Sequence, residues 1–224
     1  MNVRENPSRP PIVLGITGAS GVIYAKRLLN VLIYAGYDVD LSISSSGALV
    51  IEQELGIKID IDAFQPSLLL DESIGENDLR LQKTVELNEN AAPGKLTYHH
   101  YRDFMAPMAS GSSLTAGMVI CPCSGGTLSG VVNADSANLI HRAADVHLKE
   151  QRKLILVPRE TPLSIIQVTN LQKAAQAGAV VLPASPGWYH GVKSIDDLVD
   201  FIVARILDQL QVPHALMQRW GEDV

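Results

Sequence analysis

Residues 12–21, Ile12-Val13-Leu14-Gly15-Ile16-Thr17-Gly18-Ala19-Ser20-Gly21, constrain this chain more than any other stretch: an apolar run ends in small residues, and a helical pattern starts at once. The succession is strand, tight loop and helix N-terminus. Small residues at Gly18, Ala19 and Gly21 let the backbone approach a ligand closely, while the N–H groups and dipole at a helix start favour an anion. Ser20 adds a hydroxyl at the same spot. The glycines at 15, 18 and 21 read Gly-x-x-Gly-x-x-Gly, which is not the dinucleotide fingerprint Gly-x-Gly-x-x-Gly. Taken alone, the loop fits either a phosphate cradle or a plain strand-to-helix turn.

The same punctuation recurs along the chain. A helix is predicted over Val22 to Ala35, stopping at Gly36, and a strand over Val39 to Ile43. That strand runs into Ser44-Ser45-Ser46-Gly47 and a helix from about Ala48 to Leu55. Met118 to Cys121 reads as a strand opening into a second small-residue cradle, Pro122 to Thr127. A helix follows, with Asp135 or Ser136 as N-cap, to about Gln151. Leu154 to Val157 is an apolar strand with Arg159 and Glu160 at its end, then Thr161 as N-cap and Pro162 at the first helical position. Ala179 to Leu182 is a last strand, opening into a loop with Trp188 and Tyr189, and a final helix starts after Ser194 with Asp197 completing a capping box. Five strands alternating with helices predict a mainly parallel sheet covered on both faces, with its ligand crevice at the C-terminal strand edges. Residues 56–105 break this rhythm, being acidic with Pro66 and Pro93-Gly94, and are read as loops with short elements. The adjacent His99 and His100 diverge on any strand and are read as solvated.

With 224 residues the chain suits one domain, taken as 12–212 with an excursion at 57–103, a disordered start at 1–11 and a tail at 213–224. A net charge of −6 argues against a nucleic-acid surface. No apolar run approaches the roughly 20 residues of a membrane span, and Met1 to Pro11 lacks the apolar core of a secretion signal, so a cytoplasmic location is expected. Cys121 and Cys123 are too few for a zinc site and too close for an ordinary disulfide, so they are read as small buried residues, and no metal site is predicted. Two cation placements leave alternatives open. Arg142 and Lys149 lie seven apart on one helix face with Asp145 between them, which suits a salt-bridge ladder or an anion site. Arg205 falls on the stripe of Leu198, Phe201, Ile202 and Ile206, where it needs a carboxylate or an anionic ligand.

Several long motifs occur together in one order. They are Thr17-Gly18-Ala19-Ser20-Gly21, Ala109-Ser110-Gly111-Ser112-Ser113, the run from Cys121 to Leu128, the run from Arg142 to Glu150, Val157 to Leu163, and Leu198 to Asp208. Over residues 12–56 and 104–220 the chain resembles the UbiX-type flavin prenyltransferases. The resemblance implies a three-layer α/β fold, Rossmann-like (flavodoxin-like), in an oligomer that is usually a dodecamer. It implies transfer of a dimethylallyl group from dimethylallyl phosphate to reduced FMN, without a metal. The prenylated FMN would serve a UbiD-type decarboxylase, in ubiquinone biosynthesis or aromatic acid decarboxylation. Carried over by motif, the FMN contacts would be Gly18, Ala19, Ser20, Ser44, Ser124, Gly125, Gly126, Thr127 and Arg159. The prenyl-phosphate anchors would be Arg142, Lys149, Tyr189 and Arg205, the first two from a neighbouring subunit. Ser20, Glu54, Glu160 and Lys149 would carry the chemistry, the two carboxylates handling protons and orientation, and Phe104 and Trp220 would wall an allylic cation. Ser45 stands where family members often have Lys or Ala, Gly125 replaces a frequently larger residue, and the 57–103 excursion looks longer than usual. Two other classes compete: an FMN-dependent cysteine decarboxylase, which needs a catalytic His and a Met-Asn loop not found here, and a flavin carrier, which has no use for Arg142, Lys149 and Arg205.

Overall fold

The structure, a computed structural model, describes residues 9–71, 78–89, 91–219 and 221. Its frame is a six-stranded, all-parallel sheet in the order β3-β2-β1-β4-β5-β6. The strands are β1 (Ile12–Ile16), β2 (Val39–Ile43), β3 (Leu96–Tyr98), β4 (Gly117–Cys123), β5 (Leu154–Pro158) and β6 (Val180–Val181). The helices among the described residues are α1 (Val22–Tyr34), α2 (Ser45–Leu55), α3 (Leu79–Leu87), α4 (Gly125–Val132), α5 (Leu139–Lys149), α6 (Ile165–Gln176) and α7 (Ile195–Leu210). This strand order is that of the Rossmann fold, and it reverses direction between β1 and β4.

Strand alternation sorts the core onto two faces. Ile12, Leu14 and Ile16 join Val119, Cys121, Ile155 and Val157 under α1 and α7, while Val13, Met118, Ile120, Leu154 and Leu156 pack under α4, α5 and α6. Both sides of the central strands are therefore dry, and each fully buried aliphatic side chain contributes roughly 1.5–3 kcal/mol. Pro122 cannot donate a ladder hydrogen bond, and the β4–β5 register shifts between Ile120 and Cys123. Cys121 and Cys123 are free and buried, as expected; burial raises both thiols, that of Cys123 to about 12, so neither is a nucleophile at neutral pH.

Several elements differ from the sequence reading, α2 among them, which starts at Ser45 behind the cap Ser44 rather than at about Ala48. The excursion contains a sixth strand, β3, hydrogen-bonded at the edge beside β2, and a helix, α3. Three residues are too few to show alternation, and α3 buries only Leu81 and Thr84 over its nine residues. Charge helps dock α3: Arg27 reaches Asp78 at 2.5 Å and Asp200 at 2.7 Å, and Arg80 reaches Asp200 at 2.8 Å and also binds Asp197, while Thr84 Oγ1 accepts from Ala215 N at 2.9 Å. The helix expected from Asp135 or Ser136 starts at Leu139, because Asn138 accepts from His141 N at 3.0 Å while Asp135 is spent in the turn closing α4 (Asp135 N to Gly130 O, 2.8 Å). Likewise Thr161 and Pro162 precede rather than begin α6. The Thr161 hydroxyl donates to Glu160 O at 2.8 Å, and Ser164 with Gln167 forms the capping box. Finally, His99 is not solvated: its side chain is 12% exposed and its Nε2 lies 3.1 Å from Asp40 Oδ1. The capping box at Ser194 and Asp197 is present as expected. Residues 1–8, part of the expected loose start, and 222–224 lie outside the described residues. Arg9 packs over the Tyr37 ring at 4.9 Å, and Val212, His214 and Leu216 are buried.

The electrostatics set a pH dependence of stability. His147 on α5 is fully buried, with Nδ1 2.7 Å from Ala143 O and Nε2 2.8 Å from Thr115 Oγ1, so Nδ1 carries the proton and the threonine hydroxyl donates to Nε2. Burial, aided by nearby Arg152 and opposed by the Ala143 carbonyl, holds its pKa below the ordinary 6.5. The unfolded chain thus binds a proton below about pH 6.5 that the folded chain refuses, and stability falls as pH drops through that value. Asp197 acts in the same direction at lower pH. The Arg80 guanidinium, then the Lys193 and Ser194 amides, hold its carboxyl well below the usual range, so that contribution is lost only below about pH 4. The melting temperature should therefore fall in two stages on acidification. In His147→Gln the first stage should shrink, as measured by calorimetry across the same pH series; an unchanged first stage would assign it to other histidines.

Candidate functional site

A cleft of about 530 Å3 opens where the strand order reverses, at the C-terminal edges of β1, β4 and β5. It falls within the roughly 300–1,000 Å3 typical of small-molecule sites. Its lining includes Gly18, Ala19, Ser20, Ser124, Gly125, Gly126, Arg159 and Glu160, so both small-residue cradles and the charged pair after β5 converge as the topology required. A second cleft of similar volume lies by Arg27 and Arg80, but there the guanidiniums are engaged by Asp78, Asp197 and Asp200.

The cradles are bound together by a residue that sequence reasoning did not single out. Thr17, buried, donates its hydroxyl to Pro122 O at 2.8 Å and accepts from Ser124 N at 2.9 Å, clamping the β1–α1 loop to the β4–α4 loop. A hydroxyl one residue before the loop is the only signal of this, and it is indistinguishable by sequence from a strand-end threonine. Ser124 caps α4 by accepting from Thr127 N at 3.2 Å and donating to Thr127 Oγ1 at 3.0 Å, and Ser44 caps α2 by accepting from Gly47 N at 3.0 Å. Thr127 is buried behind the cap and does not line the cleft; nor does Ser44. Gly18 is needed for packing inside the protein as much as for a ligand, since a Cβ there would lie 2.4 Å from Ser46 Cβ. A Cβ on Gly126 would meet nothing within 4 Å, so that position faces open cleft.

Glu54 has a specific place. Gly21, at φ 105, offers α1 no side-chain cap; Glu54, from the end of α2, accepts Gly21 N at 2.9 Å and Val22 N at 3.1 Å instead. The α1 N-terminus expected to attract a phosphate therefore already holds a carboxylate. Glu160 is exposed at the cleft rim, its Oε1 accepting from Thr161 N at 3.3 Å. With α6 beginning at Ile165, Glu160 is not adjacent to that helix N-terminus.

The anchors predicted for the second substrate lie apart from this cleft: none of Arg142, Lys149, Tyr189, Arg205 or Phe104 lines it. Arg142 donates to Ala109 O at 3.1 Å and pairs with Asp145 at 2.9 Å, which is half of the ladder anticipated; Lys149 pairs with Glu150 rather than Asp145. Lys149 ends α5, just before β5 begins, and so sits at the N-terminal edge of the sheet. The seven residues of β4 separate the two edges by about 20 Å. Arg205 is not on the buried stripe: its side chain is 48% exposed and pairs with Asp208 at 2.6 Å. Tyr189 and Phe104 are exposed, and Trp220 lies outside the described residues.

Comparison with known proteins gives the family. The Flavoprotein family profile matches residues 1–207. Flavin prenyltransferase UbiX of Pseudomonas aeruginosa is 45% identical over 211 residues, 94% of each chain. The chain belongs to the flavin prenyltransferase family. Another member, from Halalkalibacterium halodurans, is 43% identical over 210 residues, covering 94% of this chain and 93% of its own. Among solved structures, AnUbiX (PadA1) in complex with FMN and dimethylallyl pyrophosphate superposes with a TM-score of 0.77 at 32% identity, over 96% of this chain and all of that one. A dodecameric FMN-dependent UbiX-like decarboxylase from Escherichia coli O157:H7 gives 0.75 at 32% identity, over 94% and 99%. The FMN-dependent cysteine decarboxylase TvaF, at 13% identity and a TM-score of 0.52, shares the fold alone.

The residues present fit the flavin that this family takes. Arg159 Nε is buried without a partner beside the cleft, a donor awaiting an acceptor, and the N-cap of α4, Ser124, and open space at Gly126 face the same volume. Among the described residues, no three His, Cys, Asp or Glu side chains converge as metal ligands would, and no helix is long and apolar enough to cross a membrane.

Proposed function

We propose that this protein is a flavin prenyltransferase that joins a dimethylallyl group from dimethylallyl phosphate to reduced FMN. The observation that carries this reading is the unpartnered, buried Arg159 Nε beside a cleft of small residues at the strand-order reversal, in a chain of this family. Bound there, reduced FMN supplies the nucleophilic ring atoms. Gly18, Ala19, Ser20, Ser44, Ser124, Gly125, Gly126, Thr127 and Arg159 form its cradle, with Ser44 acting through the cap it makes and Thr127 through the Ser124 cap that its amide completes. Glu54 orients the first cradle by holding the Gly21 and Val22 amides. Glu160 takes up the proton that the substituted ring carbon releases.

Arg142, Lys149, Tyr189 and Arg205 hold the prenyl phosphate and stabilise the negative charge that grows as it leaves, which is electrostatic catalysis by fixed side chains. Their distance from the cleft of their own chain is met by assembly: a homo-oligomer, a dodecamer in our reading, brings Arg142 and Lys149 of one subunit to the cleft of another. Phe104 and Trp220 wall the allylic cation and exclude water. The enzyme works in the cytoplasm, and its product, prenylated FMN, serves a UbiD-type decarboxylase.

Anaerobic incubation with reduced FMN and dimethylallyl phosphate, followed by mass analysis of the flavin, should show addition of one dimethylallyl group. Unchanged flavin would sink the proposal. Because side-chain cations carry the phosphate charge, EDTA should leave the rate within about twofold of its value without chelator; loss of activity restored by magnesium would count decisively against that account.

A further inference from the structure

Tyr189 sits on an exposed loop between β6 and α7, yet its ring has a defined seat. His190 stacks on Phe201 with centroids 5.1 Å apart and planes at 23°, and Tyr189 meets both rings edge-on, at 6.0 Å from His190 and 5.9 Å from Phe201. Gly187 permits this: a Cβ there would lie 2.8 Å from Tyr189 Cε1 and 3.1 Å from Phe201 Cζ. His190 is tied at one atom, its Nε2 donating to Asp197 O at 3.2 Å while its buried Nδ1 has no partner. Asp197 is the hub of the α7 start. Its Oδ2 accepts from Lys193 N at 2.7 Å and Ser194 N at 2.8 Å, and its Oδ1 accepts from Arg80 of the excursion helix α3. Arg80 also reaches Asp200, one turn on, at 2.8 Å.

We propose that Arg80 and His190 are positioning residues for the prenyl-phosphate end of the site, the excursion bracing the first turn of α7 and that turn, through His190, holding Tyr189. This deepens the prenyltransferase reading and rests on it. The 57–103 segment thereby gains a role, since α3 buries little apolar surface and its two charged contacts with α7 fall where the Tyr189 loop joins that helix. Neither Arg80 nor His190 lines the flavin cleft, so loosening this brace should alter capture of the prenyl phosphate and leave flavin binding alone.

The test is a double-mutant cycle on the full-length protein after wild-type prenylation has been observed; absence of that activity would refute the prenyltransferase reading rather than this one. Arg80→Met keeps the aliphatic stem, and His190→Phe keeps the stacked ring but loses its hydrogen bond to Asp197. Each should raise KM for dimethylallyl phosphate about tenfold, equivalent to about 1.4 kcal/mol, with kcat within about twofold and FMN affinity unchanged. Arg80→Lys should recover part of the loss, because an ammonium can still reach Asp197. The double variant should be no worse than either single one, since both break the same chain of contacts. An unchanged KM in either single variant, a multiplied loss of about a hundredfold in the double, or an equal fall in FMN affinity would each overturn the proposal. Should Arg80→Met fail to fold, Arg80→Gln, which removes the charge but keeps a polar end, takes its place in the cycle under the same criteria.

Discussion

Glu160→Gln should bind FMN and dimethylallyl phosphate as the parent does, yet lose a hundredfold or more in single-turnover prenylation, the usual scale for a general base. Glu160 stands at the rim of the cleft beside Arg159, and its Oε1 accepts from the Thr161 amide at 3.3 Å. Glutamine retains the length, the planar end and an oxygen for that amide, so the turn after β5 keeps its shape. What disappears is the charge and the basicity. Were Glu160 a structural partner of the turn, the substitution would shift flavin affinity while the bound fraction turned over at nearly the parent rate. Rapid mixing of flavin-loaded variant with prenyl phosphate separates the two, because it reads the chemical step without the binding step. Near-normal single turnover would remove Glu160 from the catalytic residues.

Mixing two dead variants should restore activity if the site is shared between subunits. Lys149→Ala removes a cation from the N-terminal edge of the sheet, and Glu160→Gln alters the cleft at the C-terminal edge, about 20 Å away along β4. No rotamer of a lysine covers that separation within one chain, so the proposed role of Lys149 requires the cleft of a neighbour. In a hetero-oligomer some interfaces then join a cleft with native Glu160 to a neighbour with native Lys149. From near zero for each parent, dissociated and remixed protein should recover a substantial fraction of wild-type turnover, up to about a quarter if subunits mix at random and each site draws on two chains. Recovery absent after exchange has been verified by mass would show that each site is built from one chain.

Much of the flavin cleft was legible from residue order because its parts are local. Ser124 caps α4 at its edge by a bond to the amide three residues on, as Ser44 and Ser194 cap helices outside it, and such bonds are written in neighbouring letters. The proposed prenyl-phosphate anchors were legible as residue types but not as geometry. Counting residues puts Arg205 on the buried stripe, whereas the helix turns its guanidinium outward to Asp208. Such counting places a side chain on a face to within a fraction of a turn, and Arg205 falls on the margin.

By itself the sequence determined the alternation of strand, small-residue loop and helix, and with it a parallel sheet whose crevice gathers Gly18 to Ser20, Ser124 to Gly126 and Arg159 with Glu160. These follow from period-2 and period-3.6 patterns and from hydrogen bonds spanning a few residues, which any short window contains. Tertiary structure alone decided that Thr17 clamps the two cradles across 107 residues, that Glu54 caps α1 from 33 residues away, and that α3 is docked through Arg27 and Arg80. Each of these depends on which polar groups the closed backbone leaves unpaired, and that is settled only once distant segments have met.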